Sequence, residues 1–175
     1  MNTRTITIIV IIIIVIAGLA GFGVFQTDQA GDTQSKGSDI DRFADIELKN
    51  YEGNPVTLGE FRGKPMVINS WAVWCPFCRN ELPDFAELQE EFGDEITVVA
   101  IDRQEPLEKA KGYTDELGIT DDMLFLLDPN DEFYKSIGGF SMPETIFVNS
   151  TGEIVVHKRG PMDLVEMVEH VNKIL

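Results

Sequence analysis

Two cysteines are the only residues in this chain that join strong nucleophilicity to a spacing suited to chemistry. They stand in the run Trp74-Cys75-Pro76-Phe77-Cys78-Arg79-Asn80-Glu81. A Cys-x-x-Cys pair opening a helix sets two thiols one turn apart on one side. Unpaired N–H groups and the helix dipole favour negative charge at that end. The Cys75 pKa should therefore fall and its thiolate fraction rise. The thiolate is the species that attacks a disulfide, and Cys78 is placed to resolve the mixed disulfide that forms. There are only 2 cysteines, so a scaffold of structural disulfides is excluded. Two cysteines do not close a four-ligand zinc site, and His157 and His170 lie far along the chain. The expectation is a redox pair that needs neither metal nor cofactor.

The elements that must position this pair follow from hydrophobic periodicity. Gly63-Lys64-Pro65 introduces Met66 to Trp71, an apolar run that reads as a buried central strand. Pro76 to Phe92 follows with Phe77, Leu82, Phe85, Leu88 and Phe92 at roughly helical spacing. Pro83 should kink this helix and Gly93-Asp94 should end it. Ile96 to Ile101 is a β-branched second core strand, Pro106 to Leu117 a helix stopped by Gly118, and Leu124 to Leu127 a third apolar run. Glu132 to Ile137 reads as a short helix closed by Gly138-Gly139. Thr145 to Val148 and Glu153 to His157 flank a Gly-containing turn and predict a hairpin. Met162 to Ile174 closes the chain as an amphipathic helix. Upstream, Ile46 to Leu48 and Val56 to Leu58 surround a turn-prone stretch and predict a first hairpin. Alternating strands and helices with a terminal hairpin predict an α/β sheet with helices on both faces.

Ile6 to Phe25 is a run of 20 residues in which only Thr7 is conventionally polar. A helix of that length spans about 30 Å, the thickness of a bilayer's hydrocarbon core. Arg4 precedes it and Asp28 and Asp32 follow, so the charge asymmetry puts residues 1–5 in the cytoplasm and the rest outside. A cleaved signal peptide is the competing reading, with Gly18-Leu19-Ala20 as a passable cleavage site. The anchor is preferred because a signal peptide's apolar region usually runs about 7–15 residues. Residues 26–43, polar and without period, read as a flexible linker. This leaves 44–175 as one ordinary domain. The formal net charge of −16 argues against nucleic acid as a partner. The lipid bilayer is expected to be contacted only through the N-terminal helix.

From Gly63 to Pro83 and from Gly139 to Asn149, with Gly152, the chain resembles the thioredoxin superfamily. Within it, the resemblance is to membrane-anchored extracytoplasmic thiol–disulfide oxidoreductases of the cytochrome c biogenesis (TlpA/ResA-like) type. It covers about Ala44 to Leu175 and implies a thioredoxin fold with a mixed central sheet and an added N-terminal hairpin. It implies that Pro143 is a cis-proline against the cysteine pair, with Met142 free to pair with an extended substrate. Trp74, Pro76 and Phe77 would shape the substrate site. Glu81, three residues past Cys78, would handle protons, in place of the buried strand Asp of ordinary thioredoxins, whose position holds Asn69. Expected partners are protein disulfide or dithiol substrates and a membrane thiol electron donor. Two departures stand out: Pro-Phe between the cysteines, which leaves the direction of electron flow open, and Asn149 where Asp is common. A disulfide-introducing oxidase and a non-catalytic binding or chaperone module are the alternatives. A peroxiredoxin-type peroxidase would place Thr three residues before its cysteine, where this chain has Ala72. His157 and His170 are expected to be structural, the latter exposed, and Trp71 to be packing.

Overall fold

A computed structural model of the chain describes residues 38–175. The expected cytoplasmic N-terminus, the transmembrane anchor and most of the linker lie outside the described residues. Among those described, no helix is long and apolar enough to cross a membrane.

Seven strands form one mixed sheet in the order β2-β1-β5-β4-β3-β6-β7. They are β1 (Leu48–Asn50), β2 (Pro55–Val56), β3 (Met66–Trp71), β4 (Thr97–Arg103), β5 (Leu124–Asp128), β6 (Glu144–Val148) and β7 (Ile154–Arg159). The helices are α1 (Pro76–Phe92), α2 (Leu107–Leu117), α3 (Glu132–Ser136) and α4 (Leu164–Val171). β3 runs parallel to β4, and β4 to β5, while β6 and β7 join antiparallel. All residues of β3 and β6 are buried, and all of β4 except its ends. Such strands are near-continuously apolar because both faces are covered.

One face packs Val67, Trp71, Val98, Ala100 and Phe147 against Leu82, Phe85 and Leu88 of α1, Ala110 of α2, and Met167 and Val171 of α4. The other packs Ile68, Val99, Ile101 and Ile146 against Phe133 of α3 and against Ile40, Phe43 and Leu58. Helix α1 runs unbroken through Pro83. The first hairpin forms as predicted in kind. Asn50 Oδ1 accepts the N–H groups of Glu52 and Asn54, and Gly53 takes φ 83°.

Two expectations are corrected. The linker placed over 26–43 ends sooner, because Asp39–Arg42 forms a 3-10 turn with Ile40 and Phe43 buried in the core. This turn is stapled to the β6–β7 loop. Ile40 N–H and Ser38 Oγ donate to the Gly152 carbonyl at 3.0 and 2.7 Å, and Asp39 Oδ2 accepts from Ile154 N–H. Gly152 has φ 83°, and a Cβ there would collide with Ser38 and Ile40. The terminal helix is also shorter than Met162 to Ile174. Asp163 caps it by accepting the Glu166 N–H, which leaves Met162 outside.

The linker correction is testable. Phe43 meets Phe133 edge to face at 5.4 Å. Phe43→Ala should destabilise the domain by about 3–5 kcal/mol in chemical denaturation. A tether residue would change stability by less than about 0.5 kcal/mol.

Candidate functional site

The site forms where β3 ends and α1 begins. Cys75 is the N-cap residue of α1, and Pro76 follows at the first helical position, where its missing N–H costs nothing. The Cys75 Sγ accepts the backbone N–H of Cys78 at 3.1 Å. Cys75 and Cys78 are joined as a disulfide with a Cα–Cα separation of 5.3 Å, and both are buried. The residues around them are not: Trp74 is 58% exposed and Phe77 59%. Pro76 is exposed as well.

β6 lies antiparallel beside β3 with Glu144 opposite Ser70, which brings the loop before β6 to the cysteine end of the sheet. The Met142–Pro143 bond in that loop is cis, and Met142 packs against the cluster that contains both cysteines. Glu144 shapes the loop. Its carboxylate is fully buried, with Oε1 accepting the Phe140 and Ser141 N–H groups at 2.8 and 2.9 Å. Oε2 meets His157 Nε2 at 2.9 Å, and Arg159 Nε donates to Oε1 at 3.2 Å. Burial alone would raise the Glu144 pKa, but these donors hold it below the ordinary carboxylate range. Tyr134 Oη donates to the Ser141 carbonyl at 2.8 Å from the other side. The loop thus presents Phe140, 85% exposed, next to the cis-proline.

Glu81 lies one turn beyond Cys78 on α1. It is buried. Its Oε1 accepts from Asn69 Nδ2 at 2.9 Å and its Oε2 from the Met162 N–H at 3.3 Å. Asn69 also donates to Thr145 Oγ1 at 3.0 Å, which ties Glu81 to β6. Burial pushes the Glu81 carboxyl up to about 8, against the hydrogen bonds from Met162 and Asn69 that favour its charged form. Trp71 is fully buried. His170 corrects the expectation of exposure: it is partly buried, its ring 5.0 Å from Phe147 in an edge-to-face contact.

The spacing points to Cys75 and Cys78, and the resemblance to Trp74, Pro76, Phe77, Glu81, Met142 and Pro143; the structure brings these residues to one end of the sheet. Neither points to Glu144, Asp102 or Glu105. All three are acidic residues at or near the ends of apolar strand runs, Glu144 at the start of one and Asp102 and Glu105 at and beyond the end of another, and that position is the signal that could have marked them.

A buried dithiol/disulfide pair at a helix N-terminus, beside a cis-proline loop on this sheet, defines a thiol–disulfide oxidoreductase of the thioredoxin superfamily. The Redoxin family model matches residues 36–175, and the chain belongs to that family. It is 28% identical over 130 residues to the thiol-disulfide oxidoreductase ResA of Halalkalibacterium halodurans, covering 73% of this chain and 72% of that one. It is 30% identical over 129 residues to the thioredoxin-like protein YneN of Bacillus subtilis, covering 73% and 75%. Among solved structures, MTB dsbF superposes with a TM-score of 0.70 at 22% identity, over 77% of this chain and 97% of that one. StoA from Bacillus subtilis superposes at 0.62 and 23% identity, over 71% and 94%. These structural likenesses speak to the fold.

The raised Glu81 pKa has a consequence for stability. A folded pKa of about 8 lies above the ordinary value of 4.5. Between the two, the native state binds a proton that the unfolded state has lost. Glu81 therefore stabilises the fold fully below about 4.5 and loses that contribution as pH rises through about 8, by up to about 1.4 kcal/mol per pH unit. Glu81→Gln removes this dependence. Stability curves of the oxidised variant and wild type should converge or cross in the variant's favour between pH 5 and 8; parallel curves would contradict the assignment.

Proposed function

We propose that this protein reduces or isomerises disulfides of extracytoplasmic proteins through Cys75-Pro76-Phe77-Cys78, held at a membrane by its N-terminal segment. The observation that carries the reading is a buried disulfide framed by exposed aromatic side chains and a cis-proline loop. An extended polypeptide can lie along that loop and present its sulfur to Cys75. Trp74, Phe77 and Phe140 supply apolar contact, and Met142 offers backbone groups for strand-like pairing.

In the reducing direction the Cys75 thiolate attacks one sulfur of a substrate disulfide. A Cys75–substrate bond forms, and the other substrate sulfur leaves as thiolate. The Cys78 thiol then gives up its proton and attacks the Cys75 Sγ. The substrate's second thiolate departs, and the pair is left as the disulfide seen here. Two electrons pass to the substrate in each cycle. Glu81, in its deprotonated form, is the proposed acceptor of the Cys78 proton, and its elevated pKa suits proton exchange near neutral pH. A membrane dithiol donor returns the two electrons by thiol–disulfide exchange, reducing Cys75–Cys78 while its own thiols are oxidised to a disulfide. The kinship with ResA-type oxidoreductases supports cytochrome c maturation as the setting, with the disulfide of oxidised apocytochrome c as substrate and its thiol pair as product.

Cys78→Ser blocks the resolving step. It should accumulate disulfide adducts between Cys75 and extracytoplasmic proteins that dissolve on reduction and are absent from Cys75→Ser. If Cys78→Ser captures nothing, the proposal fails. Unchanged partner binding after both cysteines are replaced would instead point to a non-catalytic binding module. Glu81→Gln should slow resolution of the mixed disulfide by roughly 100-fold or more in stopped-flow exchange, and an unchanged rate would remove Glu81 from the mechanism.

A further inference from the structure

A second pair of buried carboxyl groups sits on the opposite side of β3 from Glu144, and no step above uses it. Asp102 lies near the C-terminal end of β4, paired in register with Trp71 at the end of β3. It is fully buried. The chain then turns sharply: Gln104 takes φ 59°, a left-handed conformation that a non-glycine residue adopts only at a cost. The turn points Glu105 back toward the cysteine loop. Glu105 Oε2 accepts the backbone N–H of Val73 at 2.6 Å, two residues before Cys75. Its Oε1 receives Lys109 Nζ from the first turn of α2. Asp102 Oδ1 accepts the Glu105 N–H at 3.1 Å, so the two acidic residues are tied together through that backbone group, and each carboxyl group acts on the other's pKa. Asp102 Oδ2 is buried and receives a hydrogen bond from no described residue. Two carboxylates cannot face each other unprotonated without strong repulsion, and an acceptor with no donor is the natural place for a proton.

We propose that Asp102 and Glu105 share one proton and act together as positioning residues for the segment that carries Cys75. In this arrangement neutral Asp102 donates to the Glu105 carboxylate, which holds the Val73 N–H while Lys109 balances its charge. When Asp102 releases its proton to solvent, two like charges face each other and the Glu105–Val73 bond is disturbed. The loop before Cys75 is thereby coupled to pH without any titration of the cysteines. Burial, with the facing Glu105, pushes Asp102 up to about 8, so the transition falls just above neutrality. Glu105 moves the other way: burial alone would raise it, but Lys109, the Val73 N–H and Asp102 bring it down.

The groups around Asp102 leave few other sources for such a transition. Glu105 and Lys109 face it from the α2 side, and Tyr51 from the β1–β2 turn. Burial raises the Tyr51 phenol well above its usual value, so it stays neutral over this range. The sheet neighbours of Asp102, Trp71 and Leu127, carry no charge. Glu81 titrates in the same window, but its hydrogen-bond partners are Asn69 and Met162 rather than Val73. The structural claim stands apart from the exchange reaction, while its effect on catalysis rests on the function proposed above.

The test uses the oxidised protein, in which neither cysteine titrates. The Val73 amide resonance should shift in a single step near pH 8 in wild type. The step should vanish in Asp102→Asn, whose amide donates to Glu105 at every pH, and move to lower pH in Glu105→Gln, which removes the opposing charge. The rate of disulfide reduction by dithiothreitol, corrected for its thiolate fraction, should show a break at the same pH that Asp102→Asn abolishes while leaving the rate at pH 6 close to wild type. A Val73 amide that does not move between pH 7 and 9, or a step unchanged in both variants, overturns the proposal. A Val73 step that behaves as described, in a protein whose Cys78→Ser form traps no partner, would keep the proton-sharing pair and remove the substrate assignment. The two failures are thus distinguishable.

Discussion

The site depends on one constraint: Cys75 must be the residue that caps α1. Four N–H groups at a helix N-terminus have no partner within the helix. Here one of them, from Cys78, is met by the sulfur of Cys75. The same contact gives the sulfur a reason to carry negative charge when the disulfide opens. It also sets the second cysteine within bonding distance of the first. The surrounding structure holds this junction still. β3 delivers Cys75 from the middle of a sheet buried on both faces, and α1 packs Leu82, Phe85 and Leu88 onto that sheet behind it. The cis-proline loop closes the third side, fixed by the Glu144 carboxylate and the Tyr134 hydroxyl.

Around this junction the protein buries acidic groups, each made tolerable in a different way. Glu144 stays charged because backbone N–H groups, His157 and Arg159 surround it. Glu105 stays charged against Lys109 and the Val73 N–H. Glu81 has two neutral donors and no ion pair, so burial wins and its proton is held to about 8. The contrast separates their uses. A carboxylate ringed by donors is a fixed anchor for backbone. One whose proton is lost near neutrality can take part in proton transfer. The large negative net charge of the chain is therefore only partly a matter of a solvated surface.

Much of this was legible in the residues. The β3–α1 junction declares itself because an apolar run, a cysteine pair and a helical period follow one another without interruption, and α1 has the limits the pattern predicts. Gly118 stops α2 with φ 72°, as its place after Leu117 suggests. Ile40 and Phe43 were hidden because two apolar residues in a polar stretch have no period. Their burial comes from contacts with Gly152 and Phe133, more than 80 residues away. Asp102, Glu105 and Glu144 were hidden for a related reason. An acidic residue reads as solvated until the groups that satisfy it are placed beside it, and those groups are backbone N–H groups of turns and loops, a helix lysine and side chains of a neighbouring strand. Pro76-Phe77 is a different case: its position is now fixed, with both residues exposed, yet geometry alone does not set the potential of the pair it separates.

That potential decides the account. Equilibrating the Cys75–Cys78 couple of the full-length protein with glutathione or dithiothreitol at pH 7 measures it directly. A protein that reduces disulfides should give a value in the neighbourhood of thioredoxin, about −270 mV. A value near about −120 mV, that of the strong oxidant DsbA, would mean that the pair introduces disulfides and would contradict the reducing function.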